Sequence, residues 1–163
     1  MAIPFNADEI FEMAEQIERN GAKFYRKAAE SASDESIEKL FLNFAAMEVE
    51  HEKTFAQMRA ELSGKETEAM SFDPDNQAAM YLRAVANGHV FDTKTNPADR
   101  LTGNESVQDI LLMAIGAEKD SIAFYVGLKN SVSAPAGKEK VDKIIREEMG
   151  HISILSDKIG EIA

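Results

Sequence analysis

Along most of this chain apolar residues return every three or four positions, the spacing that lays one stripe along a helix. One such stretch runs from about Asn6 to Ser31 and carries Phe11, Ala14, Gly21, Tyr25 and Ala28 on one face. A second, from about Ser33 to Leu62, carries Phe41, Phe44, Phe55, Met58 and Leu62. A third, from about Asn104 to Asn130, carries Leu111, Ala114, Tyr125 and Leu128. A fourth, from about Ser133 to Ile159, carries Val141, Ile144 and Leu155. Asn6 with Glu9 three residues on reads as a capping box. Ser63-Gly64 stops the second stretch, Asn104-Glu105-Ser106 leads into the third, and Pro135 sits in the first turn of the fourth, where a missing N–H is tolerated. Tight links make stretches one and two, and three and four, antiparallel hairpins. Between them, from about Gly64 to Gly103, lie the breakers Asp73-Pro74, Asn87-Gly88 and Asn96-Pro97, around a short helical candidate from Asn76 to Asn87. The pattern predicts an all-α protein. It is an antiparallel four-helix bundle with a long crossover containing a short helix, in one domain over residues 1–163 with hairpins at about 6–62 and 104–160.

The two hairpins repeat each other. A shift of 100 residues lays Ile10, Met13, Ala14, Glu18, Phe24 and Tyr25 on Ile110, Met113, Ala114, Glu118, Phe124 and Tyr125, and Glu48 and His51 on Glu148 and His151. Helical composition explains the apolar matches but not the polar ones. Two helical hairpins so related predict a bundle with pseudo-twofold symmetry.

Those polar residues interrupt the apolar stripes at mid-length. Glu18, Glu48, Glu118 and Glu148 each occupy the centre of one stripe, and His51 and His151 follow one turn after the second and fourth. Four carboxylates converging in an apolar core repel each other and lose their hydration, at several kcal/mol for each unpaired charge. No Lys or Arg falls at these central positions. Two divalent cations neutralise the four charges, and four carboxylates with two imidazoles are oxygen and nitrogen donors suited to iron or manganese. A Glu from each of two helices with Glu-x-x-His from each of the other two is the di-metal pattern of such bundles. A lone Glu-x-x-His is a weak signal, but a mirrored pair at equal depth is a strong one. Taken singly, His51 or His151 reads more readily as a satisfied core histidine, and the mirrored pair reverses that reading. Tyr25 and Tyr125, two turns beyond Glu18 and Glu118, are either core aromatics or donors to a carboxylate on a neighbouring helix. Glu50, Glu52 and Glu147 read as solvated, and His89 as structural or exposed.

Composition narrows the remaining possibilities. The chain has 163 residues, with 18 Lys+Arg against 29 Asp+Glu and a net charge of -11. That surface repels a phosphate backbone, so no nucleic-acid partner is expected. Cysteine is absent, which excludes disulfides, thiolate nucleophiles and thiolate-held metals. The start of the chain lacks the basic and apolar pattern of a signal peptide, and no apolar run is long enough for a bilayer. A cytoplasmic location and no membrane partner are the expectation.

Glu18 with Phe24-Tyr25, Met47-Glu48-Val49-Glu50-His51, Glu118 with Phe124-Tyr125, and Glu147-Glu148-Met149-Gly150-His151 resemble the ferritin-like di-iron superfamily, most closely its rubrerythrin branch. The resemblance covers nearly the whole chain and implies a ferritin-like bundle holding two iron ions, with manganese or zinc as substitutes. It implies Glu18 and Glu118 as terminal ligands, Glu48 and Glu148 as bridges, His51 and His151 as one nitrogen ligand per iron, and Tyr25 and Tyr125 as partners of the ligand glutamates. The implied activity is that of a di-iron oxidoreductase reducing hydrogen peroxide or dioxygen, with an external electron donor and a homodimeric assembly. Three departures bear on this. Ser121 stands where rubrerythrins add a glutamate used in a ligand switch tied to peroxidase activity. The absence of cysteine removes the rubredoxin-like module, leaving a stand-alone domain. The crossover is longer than in cage-forming ferritins, and Val49 replaces the methionine that holds haem in bacterioferritin, so no haem is expected. Ferroxidase or iron-storage chemistry of the bacterioferritin type is the alternative, and a structural metal or metal-free bundle is the third reading.

Overall fold

The computed structural model describes residues 6–62, 77–86, 97–132 and 135–163. Four long helices account for most of them: α1 (Ala7–Glu30), α2 (Glu35–Ala60), α4 (Val107–Ser131) and α5 (Pro135–Ile162), with the short α3 (Gln77–Ala86) between the pairs. The helix starts follow from local chemistry. Asn6 accepts from the backbone N–H of Glu9 while the Glu9 carboxylate accepts from that of Asn6, closing the expected capping box. Asp34, rather than Ser33, caps α2 by accepting from the N–H groups of Ser36 and Ile37. A second capping box joins Ser106 and Asp109, so α4 starts a few residues after Asn104. Pro135 begins α5, which runs on to Ile162, beyond the predicted Ile159.

Each helix turns its apolar stripe inward, and Phe24, Phe41, Phe55, Leu111, Phe124 and Leu155 lie in one shared core. A fully buried side chain of this size stabilises the fold by about 1.5–3 kcal/mol. The ends of α1 and α2 are tied at the surface by Arg59, whose Nε donates to Asp8 Oδ1 at 2.7 Å and whose Nη1 donates to Glu15 Oε2 at 3.1 Å.

Cross-helix pairs give the directions. Tyr25 meets Glu118 while Tyr125 meets Glu18, so α1 and α4 are antiparallel. His51 meets Glu147 while Met47 meets His151, so α2 and α5 are antiparallel as well. It follows that α2 and α4 run the same way. The chain leaves one end of the bundle after α2 and starts α4 at the other. The 26 residues of α2 span about 39 Å at 1.5 Å per residue, which is why a long crossover is required. Within it α3 lies on α4. Leu82 is buried there, and the Tyr81 hydroxyl donates to the carbonyl of Ala123 at 2.7 Å. Gly127 makes room, since a Cβ there would stand 2.8 Å from both Leu82 Cδ2 and the Tyr81 ring. The breakers Asp73-Pro74 and Asn87-Gly88, and His89, lie outside the described residues. Among the described residues no helix is long and apolar enough to cross a membrane.

Candidate metal centre

The mid-stripe glutamates and histidines converge at half-height in the bundle. Glu18 comes from α1, Glu48 and His51 from α2, Glu118 from α4, and Glu148 and His151 from α5. All six side chains are buried, with Glu18, Glu118 and Glu148 fully so. Helical pitch explains the convergence: the Glu-x-x-His spacing stacks the two groups one turn apart on one face. Gly21 opens the wall beside them, because a Cβ at that position would come within 2.9 Å of Glu48 Oε2.

The donor atoms form two overlapping sets. Glu18, Glu48, His51 and Glu148 each bring one atom within 4.8 Å of the others, and so do Glu48, Glu118, Glu148 and His151. Glu48 and Glu148 are common to both sets. Glu148 sits between the imidazoles: its Oε1 is 2.9 Å from His51 Nδ1 and its Oε2 is 2.9 Å from His151 Nδ1. The two rings lie nearly parallel with centroids 6.1 Å apart. Despite the close approaches, Nδ1 of both histidines, both Glu148 oxygens, and one oxygen each of Glu18, Glu48 and Glu118 lack an aligned hydrogen bond. Among the described residues these seven are the buried side-chain oxygens and nitrogens so left. Native interiors leave few such atoms unsatisfied, and here every one belongs to this cluster.

The outer atoms are satisfied. The hydroxyl of Tyr25 donates to Glu118 Oε1, and in mirror image that of Tyr125 donates to Glu18 Oε1. Each tyrosine thus ties its own hairpin to a carboxylate of the other. Between the two sequence alternatives for these residues, the geometry gives a carboxylate partner to both. Phe44 stacks on His151 at 4.3 Å between centroids, and Phe55 packs on Tyr125 at 5.0 Å, so aromatic faces close off the cluster.

The electrostatics record the crowding. Burial pushes the Glu48 carboxyl well above its usual range, and repulsion from Glu148, Glu18 and Glu118 adds to the rise. Burial and the charge of Glu148 do the same to Glu118. Burial also opposes ionisation of Glu148, yet His151 and His51 on its two oxygens hold it below the ordinary value. For His51 burial disfavours the cation, but Glu148 and Glu18 carry its pKa up to about 11. His151 rises to about 9 against the same penalty, through Glu118 and Glu148. Burial first, and the nearby carboxylates second, raise both tyrosine hydroxyls, which stay protonated as donors. The site is a packed carboxylate cluster whose repulsion is offset by the two imidazoles. Hard oxygen donors with imidazole nitrogen fit a pair of divalent first-row ions.

Sequence reasoning misses one residue here. Glu147 is not simply solvated: its Oε2 lies 2.8 Å from His51 Nε2, on the side of the ring away from the cluster. The signal was available in the register. Position 147 flanks the stripe glutamate, where a side chain reaches across to the next helix. Glu50 does face solvent, towards Lys53, whereas Glu52 is half-buried and accepts from Arg19 of α1.

A bundle of antiparallel helices around a buried carboxylate–histidine cluster that fits a dinuclear metal site defines a class. The chain belongs to the family of ferritin-like domains, matching it over residues 6–161. It is similar in fold to a solved structure described as a ferritin-like diiron-carboxylate protein from Thermotoga maritima. The TM-score is 0.73 and the identity 23%, over 100% of both chains. No curated protein matches the chain.

Proposed function

We propose that this protein is a di-iron oxidoreductase of the rubrerythrin type, reducing hydrogen peroxide or dioxygen at a carboxylate-bridged pair of iron ions. The observation that carries the reading is the set of seven buried donor atoms without an aligned hydrogen bond, on six residues that fall into two groups sharing Glu48 and Glu148. Four carboxylates balance the charge of two divalent ions, which accounts for a cluster otherwise costly to bury.

In this reading Glu18 and His51 would hold one ion and Glu118 and His151 the other, with Glu48 and Glu148 available to both. A pair of bound iron(II) ions would supply two electrons, one from each ion, and with two protons from solvent these would cleave hydrogen peroxide to water or reduce dioxygen to hydrogen peroxide. The chain does the rest. Tyr25 and Tyr125 hold Glu118 and Glu18 in place through their hydroxyls. Phe44 and Phe55 keep bulk water from the cluster, which strengthens the electrostatics inside. A donor outside the chain restores the electrons.

The test is anaerobic loading with iron(II), counting ions per chain, followed by rapid mixing with hydrogen peroxide and separately with dioxygen. The expected result is about two ions per chain and a near-ultraviolet absorbance change that is faster with one oxidant. Equal slowness with both, or iron accumulating far beyond two ions, overturns the oxidoreductase reading; the second outcome favours storage. Absence of tightly bound metal overturns the centre itself.

A further inference from the structure

The pseudo-twofold relation makes the two halves of the cluster nearly interchangeable, so their differences carry information. The shared carboxylates Glu48 and Glu148 cannot distinguish the two ions. Glu18 and Glu118 are matched as well, each accepting from one tyrosine. Ser121 takes the place of Gly21, but its hydroxyl donates to the carbonyl of Ala117 on its own helix and does not enter the cluster. Two contrasts remain at the histidines: Phe44, which stacks on His151, corresponds to Ile144, and Glu147 corresponds to Met47; only the second changes what a ring nitrogen bonds to.

Both imidazoles turn Nδ1 towards the carboxylates, so Nε2 carries the hydrogen when Nδ1 binds a metal. For His51 that N–H meets Glu147 Oε2 at 2.8 Å. A carboxylate there makes a charge-assisted bond, fixes the ring and raises the basicity of the opposite nitrogen. For His151 the same N–H meets Met47 Sδ at 3.3 Å, and a thioether is a weak acceptor. Lys143 stands 3.9 Å from the other Glu147 oxygen and leaves Oε2 to the histidine.

We propose that Glu147 is a positioning residue that makes the two metal positions unequal, so that the position served by His51 fills before the one served by His151. This rests on the two-metal reading above. Outer-shell partners of metal-bound histidine are typically worth 10–100-fold in affinity, and here one imidazole has a carboxylate partner while its mirror image has only a thioether.

The experiment is an anaerobic titration of the full, chelator-stripped chain with cobalt(II), followed by visible absorption and by equilibrium dialysis. Wild type is expected to fill in two steps, the first roughly 10–100-fold tighter than the second. His51→Ala should remove the tight step and His151→Ala should spare it. Glu147→Met gives both histidines a thioether and should merge the steps. The exchange Met47→Glu with Glu147→Met keeps composition and net charge, and should make the tight step depend on His151 instead. Circular dichroism checks that each variant is folded, and Glu147→Gln, which removes only the charge, should narrow the gap if the exchange variant does not fold. Two ions entering wild type in one unresolved step overturn the proposal but leave the metal centre standing. So do a tight step that survives His51→Ala and a gap unchanged in both Glu147 variants. No bound cobalt in any form overturns the centre and the proposal together.

Discussion

Glu148 is the residue on which the cluster turns, because its two oxygens face the two histidines at 2.9 Å each. Glu148→Ala should abolish binding of both ions, read as metal per chain after iron loading. A variant retaining one ion would show that the bridge is dispensable. Tyr25→Phe tests a different contribution. It removes the only hydroxyl that a described contact gives to Glu118 Oε1 and leaves a buried carboxylate oxygen short of a donor. The expected loss is about 1–3 kcal/mol of unfolding free energy, measured by urea titration of the metal-free protein. Tyr125→Phe should cost a similar amount through Glu18. The sequence made the six cluster residues legible because each is a polar residue at a position that helical period assigns to the core. Glu147 was less legible because it sits at the edge of its stripe, where a small rotation of the helix either exposes or buries it.

Helix boundaries were legible where a side chain closes a box, as at Asn6 with Glu9. They were less so where two candidates stand side by side, as at Ser33 and Asp34. Asp34 prevails because its carboxylate reaches both the Ser36 and Ile37 N–H groups. The turn before α4 is built on Glu105. Its Oε1 accepts from the Thr102 N–H and hydroxyl at 2.8 Å each, and its Oε2 accepts from the Gly103 N–H at 3.0 Å. These bonds, the Thr102 N–H foremost, hold its carboxyl down at about 2 from an ordinary 4.5. A carboxyl depressed by folding stabilises the native state fully above its unfolded value, and loses that contribution as pH falls through the folded one. The stability difference between wild type and Glu105→Gln should therefore be constant above pH 5 and shrink between about 4.5 and 2. Carboxyl chemical shifts of Glu105 against pH check the midpoint directly. The crossover supplies another test. Gly127→Ala forces a methyl to within 2.8 Å of Leu82 and Tyr81, and overpacking of this kind costs about 1–3 kcal/mol. Faster amide exchange in α3, with metal content unchanged, is the expected outcome.

Across the whole molecule, the metal-free bundle is expected to be the less stable form, since it confines four carboxylates with only two imidazoles to oppose them. A ligand that binds only the folded state adds about 4.1 kcal/mol at a thousand times its dissociation constant. Manganese(II) or iron(II) should therefore raise the thermal midpoint, and Glu48→Ala with Glu148→Ala should erase that rise. An unchanged midpoint in metal-loaded wild type would contradict the charge argument. The architecture was readable from the 100-residue repeat and the tight hairpin links. The seating of α3 on α4 was not, because it depends on the absence of a side chain at Gly127 and not on any apolar period.

Neither hairpin owns a complete set of donors. The group around His51 needs Glu148 from α5, and the group around His151 needs Glu48 from α2. A nascent chain with only its first half folded thus offers an incomplete grip to a reactive ion. The division works as an interlock: neither group of donors is complete until the last helix has closed the bundle.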